Sequence, residues 1–115
     1  MYAIVISQFN KEIVNGLLKG ALKGFGKKKV EVFKVPGAWE IPFVIRKLAH
    51  KKKYKAIVAL GAVIKGETTH DYWINHAVFP ALQDIMKEYM IPVTLGIITC
   101  DTWVKAEARS INNKE

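Results

Sequence analysis

The sequence predicts an α/β fold, a three-layer αβα arrangement in which helices cover both faces of a four-stranded, mostly parallel sheet. Strand-like and helix-like segments alternate along all 115 residues. The strand-like segments are nearly continuous apolar runs, which is typical of parallel strands buried on both faces. A composition of 50% hydrophobic and 24% charged residues fits one globular domain, residues 1–115, with no linker or internal repeat.

The first two strands enclose a well-marked helix. Residues 2–7 form an apolar, β-branched run that predicts a strand, and residues 30–35 form a second. Between them, apolar residues from 13 to 25 recur on one face of a helix. Gly24 and Gly26 end that helix.

The remaining elements alternate in the same way. Pro42 stands where the first turn of a helix tolerates proline, whereas Pro80 lies inside a helical pattern and should kink it or break its hydrogen-bond ladder. The predicted elements are a helix at 41–49, a strand at 56–64, a polar loop at 65–71, a helix at 74–86, a strand at 92–99, and a short helix from Asp101 or Thr102 to about Arg109.

A net charge of +8 raises the question of nucleic-acid binding. The lysines collect at 27–29 and 51–53, each time after a helical pattern and before a strand. Cations at those places complement helix C-termini and remain in solvent, so we expect solvated turns and no nucleic-acid partner. A basic surface that attracts an anionic substrate or RNA stays open as the alternative.

Other features bear on the location of the protein. No apolar run approaches the roughly 20 residues that span a bilayer, so no membrane partner is expected. Residues 1–7 lack a basic leader and a cleavage site, and Cys100 is the single cysteine. We therefore expect a cytoplasmic protein without an internal disulfide.

In parallel sheets of this kind, ligands bind beyond the carboxyl ends of the strands. The segments that follow the predicted strands are 8–10, 37–40, 62–70 and 99–109. The catalytic and binding residues are therefore expected in these segments.

The segment from Gly66 to Asp71 carries the strongest chemical signal. Glycine, threonine hydroxyls and the free N–H groups of a helix start can hold a phosphate, although the spacing is not that of a P-loop. The alternative is a helix start capped by Thr68 or Thr69. Histidine titrates near neutral pH, which makes His70 a candidate proton carrier. Its spacing from His76 disfavours a shared metal site.

Aromatic and charged residues occupy the other segments. Phe9 and Trp39 offer faces that could stack on a planar heterocycle, and Glu40 could accept hydrogen bonds from hydroxyl groups. Alternatively, Trp39 packs under a helix or subunit, and Glu40 caps a helix. Arg109 could bind phosphate with two parallel hydrogen bonds, or could be a surface arginine paired with Glu107.

Taken together, four segments closely resemble the 6,7-dimethyl-8-ribityllumazine synthase family. They are SQFN at 7–10, VPGAWEIP at 35–42, GAVIKGETTH at 61–70 and PVTLGIIT at 92–99, in the family's order and spacing. The resemblance implies a flavodoxin-like fold, no metal and no organic cofactor. It also implies a homo-oligomer, a pentamer or a sixty-subunit capsid, with sites between adjacent subunits.

The resemblance further implies the penultimate step of riboflavin biosynthesis. In that step 5-amino-6-(D-ribitylamino)uracil condenses with L-3,4-dihydroxy-2-butanone 4-phosphate, and the products are 6,7-dimethyl-8-ribityllumazine, phosphate and water. Matching by motif, His70 would be the proton carrier, and Glu67, Thr68 and Arg109 would bind phosphate. Lys114 matches a family lysine only weakly, because it follows Arg109 too closely.

The pyrimidine and its ribityl chain would meet a second set of residues. Leu95 stands where the family often has phenylalanine, so one aromatic wall would be reduced. By the same resemblance, Phe9 would stack on the ring, Glu40 would bind ribityl hydroxyls, and the rest of the pocket would come from Ala38, Trp39, Ala62, Val63 and Ile64.

The sequence departs from the family's pattern at both ends. It starts almost at the first strand, and it lacks the long final helix that covers one sheet face in family members. We therefore expect apolar sheet surface that is exposed or covered by a partner. Three alternatives remain: a non-catalytic, pentameric or shell-forming relative that binds the pyrimidine or a flavin, an RNA-binding domain, and an archaeal-type riboflavin synthase.

Overall fold

The computed structural model describes residues 1–64 and 70–100, with the backbone alone at 64, 70–72 and 98–100. The elements are β1 (Tyr2–Ser7), α1 (Lys11–Phe25), β2 (Val30–Val35), a 3₁₀ turn (Ala38–Glu40), α2 (Ile41–His50), β3 (Ile57–Ile64), α3 (His70–Tyr89) and β4 (Val93–Cys100).

These elements confirm the predicted alternation, and most boundaries agree within two residues. Helix α3 is the main exception, because it begins at His70, four residues earlier than the apolar pattern indicated. Pro80 lies inside α3 without ending it, so the helix runs on past the residue that lacks an N–H donor. The predicted short helix near Arg109 lies outside the described residues.

The sheet is parallel throughout, with the strand order β2-β1-β3-β4. Alternate residues of β1 point to opposite faces, as the pleat requires. Ala3 and Val5 belong to the core formed with α2 and α3, whereas Ile4 and Ile6 belong to the core formed with α1. The protein therefore has the three-layer flavodoxin-like architecture that the sequence predicted.

The larger core lies between the sheet and the α2–α3 layer. Ile41, Ile45 and Ile57 are completely buried there. Arg46 of α2 forms a forked ion pair with Glu88 of α3, with Nη2 2.9 Å from Oε1. This exposed ion pair joins the solvent side of the two helices and contributes little to stability, whereas burial of apolar side chains such as these isoleucines stabilises the layer.

The smaller core lies under α1. Ile13 and Val14 pack on Ile4, Ile6 and Leu60, and the partly buried face of the helix continues with Leu17, Leu18, Ala21 and Phe25. Helix α1 ends at Phe25, where Gly26 adopts a φ of 62° and its N–H reaches the Leu22 carbonyl at 3.2 Å. Gly26 thus acts as the predicted stop signal, whereas Gly24 lies inside α1 and does not end it.

Both lysine clusters lie at the amino edge of the sheet. The Tyr2 N–H donates to the Lys29 carbonyl at 3.0 Å, and the Lys55 N–H donates to the Met1 carbonyl at 2.9 Å. The side chains at 27–29 and 51–53 are exposed, as expected for solvated turns. In the described ranges, no helix is long and apolar enough to cross a membrane.

The carboxyl edge of the sheet is uneven. The β1–β3 ladder stops at the pair Ile6 and Leu60, whereas the β3–β4 ladder continues to Ile64 and Cys100. Strand β3 therefore projects beyond its pairing with β1. The loop after β1 and the turn after β2 reach the space left beside this projecting end.

Candidate active site

A cleft of about 330 Å³ opens at the carboxyl edge, beside the projecting end of β3. Four parts of the fold contribute to it: the loop after β1, the turn after β2, the end of β3 and the start of α3. The lining residues are Phe9, Asn10, Gly37, Ala38, Trp39, Glu40, Ala62, Val63 and Ile74. The position agrees with the general rule for ligand sites in parallel α/β sheets.

Phe9 forms an open aromatic wall of this cleft. Its side chain is 68% exposed, and its ring edge lies against the backbone of Gly37. A Cβ atom at position 37 would come within 3.1 Å of Phe9 Cδ2. Glycine therefore allows the ring to approach the turn closely while one ring face remains available to a ligand.

In the turn after β2, three consecutive side chains, those of residues 38–40, lie in three different environments. Ala38 is buried in the larger core, Trp39 is 62% exposed, and Glu40 is half-buried at the cleft. The Glu40 N–H donates to the Gly37 carbonyl at 3.2 Å, which closes the 3₁₀ turn. The buried alanine fixes the turn to the core, so the two following side chains are held at the cleft.

These placements bear on the alternatives that the sequence left open for Trp39 and Glu40. The exposure of Trp39 argues against packing under a helix of the same chain. Glu40 precedes α2, yet its side chain makes no capping hydrogen bond within the described part of the chain. Both side chains are therefore placed to meet a ligand or a second subunit.

The end of β3 supplies the opposite wall. Ala62 and Val63 are buried and line the cleft, and Ile74 of α3 lies beside them. Asn10 Nδ2 donates to the Ala62 carbonyl at 3.3 Å, which connects the Phe9 loop to β3. The cleft thus has apolar walls and a few polar groups, the arrangement that suits a flat ligand with a polar edge.

The structure brings most of the predicted pyrimidine-site residues together. Phe9, Ala38, Trp39, Glu40, Ala62 and Val63 all line the same cleft. Ile64 is the last residue of β3, and His70 is the first residue of α3, but their side chains are not among those described. Glu67, Thr68, Arg109 and Lys114 lie outside the described residues.

Leu95 is placed elsewhere. It lies on the edge strand β4, is 55% exposed and lines a second cleft between β4 and α3. Phe79, Pro80 and Met86 lie in the same cleft, which also has a volume of about 330 Å³. Leu95 therefore does not join Phe9 and Glu40 within one chain.

Three lining residues were not among the predicted site residues: Asn10, Gly37 and Ile74. Asn10 and Gly37 lie inside the segments 8–10 and 37–40 that were expected to carry the site, whereas Ile74 lies outside the segment 62–70. Asn10 directly precedes helix α1, a position that usually indicates a helix cap. Its contact with a strand 52 positions later has no local signal in the sequence.

Comparison with known proteins identifies the family. A family model described as 6,7-dimethyl-8-ribityllumazine synthase matches residues 1–115. A protein of that name from Kosmotoga olearia is 45% identical over 113 residues, which is 94% of this chain and 72% of the relative.

Two further relatives carry the same name. The protein from Coxiella burnetii, strain RSA 493, is 40% identical over 94% of this chain and 75% of the relative. The protein from Pyrococcus furiosus is 41% identical over 94% of this chain and 70% of the relative. The chain therefore belongs to the 6,7-dimethyl-8-ribityllumazine synthase family, enzymes of riboflavin biosynthesis.

Proposed function

We propose that this protein condenses 5-amino-6-(D-ribitylamino)uracil with L-3,4-dihydroxy-2-butanone 4-phosphate to form 6,7-dimethyl-8-ribityllumazine, phosphate and water. The observation that supports this proposal most directly is the cleft itself. Residues from three separate motif segments, at 7–10, 35–42 and 61–70, meet there around one open space. Family membership indicates which reaction the protein catalyses, and the cleft is the proposed location of that reaction.

The pyrimidine ring would lie between Phe9 and the end of β3. Stacking on an exposed phenylalanine buries one ring face, while the backbone of Ala62, Val63 and Ile64 meets the polar ring edge. Glu40 and the adjacent backbone of Ala38 and Trp39 would receive the ribityl chain. A carboxylate suits that chain, because it accepts several hydrogen bonds from neighbouring hydroxyls.

The phosphate-bearing substrate is assigned to residues by motif. We propose that Thr68 binds the phosphate through its hydroxyl and backbone, and that Arg109 supplies the cation. Glu67 would contribute its N–H group, with its carboxylate turned away from the anion. Lys114 is a weaker assignment, since its spacing from Arg109 differs from the family's.

The chemistry requires proton transfers at several steps. The pyrimidine amine attacks the ketone, and an imine forms with loss of water. Removal of a proton from carbon then expels phosphate. The ribitylamino nitrogen attacks the remaining carbonyl carbon, and the second ring closes with loss of a second water. His70 is proposed to carry these protons. Holding two small reactants side by side supplies a further large part of the rate.

We also propose that the protein is a homo-oligomer whose sites lie between subunits. Within one chain, Phe9 and Trp39 are exposed at the cleft, while Leu95 is exposed at a second cleft on the far edge strand. A contact between these two different surfaces would be head-to-tail, and such contacts form a ring when the rotation between neighbouring subunits closes. A pentamer, or a sixty-subunit capsid built from pentamers, would bring Leu95 to a neighbour's site. Light scattering measures this assembly.

The proposed location is the cytoplasm. A single cysteine and a biosynthetic role on small metabolites support this location.

The function is tested by mixing purified protein with both substrates and recording the absorbance and fluorescence of the lumazine product. We expect product to form faster than in a protein-free control. His70→Ala should slow turnover while pyrimidine binding stays largely intact, because the histidine moves protons and does not hold the ring. Wild-type product formation no faster than the control would contradict the proposal, as would loss of binding with unchanged single-turnover chemistry in the variant.

A further inference from the structure

Asn10 has an uncommon backbone conformation. Its φ of 61° and ψ of 56° place it in the left-handed region, directly between the exposed ring of Phe9 and the first turn of α1. Asparagine tolerates this region better than most residues with a side chain. Non-glycine residues held there often mark functional sites, so the contacts of this side chain are informative.

The side chain does not perform the usual task of an asparagine at this position. An asparagine before a helix normally accepts a hydrogen bond from an N–H of the first turn. Among the described residues, the Asn10 side chain makes no such bond. The helix start is held instead by the Asn10 backbone carbonyl, which accepts from Ile13 at 3.0 Å and from Val14 at 3.1 Å.

The amide group reaches β3 instead. Asn10 Nδ2 donates to the Ala62 carbonyl at 3.3 Å, two residues beyond the last β1–β3 pair, Ile6 and Leu60. The side chain thus adds one hydrogen bond past the end of the ladder. Without this bond, the Ala62 carbonyl would accept a hydrogen bond from water or from a ligand.

This bond joins the two walls of the cleft. Phe9 precedes Asn10 and rests on Gly37, while Ala62 and Val63 form the facing backbone. We propose that Asn10 is a positioning residue for the pyrimidine: its amide sets the separation between the stacking ring and the hydrogen-bonding edge of β3. The inference rests on the proposed function and names a residue that controls substrate binding there.

Two variants separate the side chain from the backbone conformation. Asn10→Asp keeps the shape and tolerates the left-handed region, but an ionised carboxylate has no proton to donate to the Ala62 carbonyl. Asn10→Gly keeps the left-handed conformation and removes the amide. Asn15→Asp is the matched control, since it makes the same charge change on an exposed position of α1.

We expect both Asn10 variants to raise KM for the pyrimidine about tenfold, with KM for the phosphate-bearing ketone within about twofold of wild type and kcat within about threefold. Asn15→Asp should match wild type in all three constants. A selective effect on one substrate is a result that general destabilisation would not produce.

Two results would overturn the inference. One is a lower thermal midpoint with an unchanged pyrimidine KM, which would make the bond purely structural. The other is an equal rise in both KM values. If wild-type protein binds the pyrimidine without turnover, the reaction fails but the inference is still tested by comparing Kd values. If wild type neither binds nor turns over, the proposed function fails and the inference fails with it.

Discussion

At the residue scale, the turn from Ala38 to Glu40 shows how neighbouring side chains acquire different tasks. A 3₁₀ turn rotates each residue by about a third of a circle. Ala38 therefore enters the core when Trp39 faces outward, and Glu40 returns to the cleft. The shape of the cleft depends on this order, because the buried alanine holds the two cleft-lining residues in place.

Glu40→Gln tests the role assigned to the carboxylate. Because hydrogen bonds to charged groups are worth about 1.5–3 kcal/mol, we expect KM for the pyrimidine to rise about tenfold to a hundredfold. Stability should barely change, since Glu40 caps nothing in the described part of the structure. Glu12→Gln, on the exposed first turn of α1, is the control for loss of one negative charge. An unchanged KM for the pyrimidine in Glu40→Gln would contradict the role of the Glu40 carboxylate in substrate binding.

At the element scale, β3 and β4 pack closely because one residue lacks a side chain. Gly96 pairs with Leu60, and Leu60 Cδ2 lies 2.5 Å from where a Cβ at position 96 would be. The leucine thus fills the space above the glycine and joins the smaller core under α1. Gly24, near the end of α1, has no described atom within 4 Å of such a Cβ.

The same substitution should therefore have opposite effects at these two positions. Gly96→Ala should lower the free energy of unfolding by about 1–3 kcal/mol, because Leu60 must move. Gly24→Ala should raise it by about 0.5–1 kcal/mol, because alanine favours the helix. Urea denaturation measures both values. An unchanged free energy of unfolding in Gly96→Ala would contradict this prediction.

A polar cluster connects β2 with the loop before β3. The hydroxyl of the buried Tyr54 donates to Glu31 Oε1 at 2.8 Å, and Lys53 Nζ lies 3.1 Å from the same oxygen. Burial, together with the bond to Glu31, raises the pKa of Tyr54 to about 12. The hydrogen bonds from Tyr54 and Lys53 lower the pKa of Glu31.

This cluster predicts a loss of stability in alkali. A tyrosine in the unfolded chain ionises near pH 10, whereas Tyr54 in the folded protein ionises at about 12. Its contribution is therefore complete below pH 10 and disappears as the pH rises from about 10 to about 12. The difference in unfolding free energy between wild type and Tyr54→Phe should shrink over that range. A difference that stays constant from pH 8 to pH 12 would contradict the assignment.

The elements could be predicted well because their signals are local. Apolar runs indicate the strands, and apolar residues at helical spacing indicate α1 and α2. The start of α3 was missed because residues 70–73 are mostly polar or aromatic and do not extend the apolar face. The bond from Asn10 to Ala62 was also missed, because the cap position suggests a local partner and only the fold brings β3 near.

At the scale of the whole molecule, the protein is asymmetric across its sheet. Two helices cover one face, and α1 packs against β1 and β3 on the other. The candidate active site and the cleft with Leu95 are separate surfaces of the same chain. In the proposed head-to-tail ring, these two surfaces of neighbouring subunits would face each other.

The central claim is that the cleft beside Phe9 binds the pyrimidine substrate of the lumazine synthase reaction. Its most direct test is a titration of wild type, Phe9→Ala and Phe43→Ala with 5-amino-6-(D-ribitylamino)uracil, with assembly monitored in parallel. The two phenylalanines are matched, at 68% and 67% exposure, but Phe43 does not line the cleft. Because stacking contributes about 1–3 kcal/mol per base, Phe9→Ala should weaken binding at least about fivefold, and Phe43→Ala should leave it unchanged. Equal affinity in all three proteins would contradict the account.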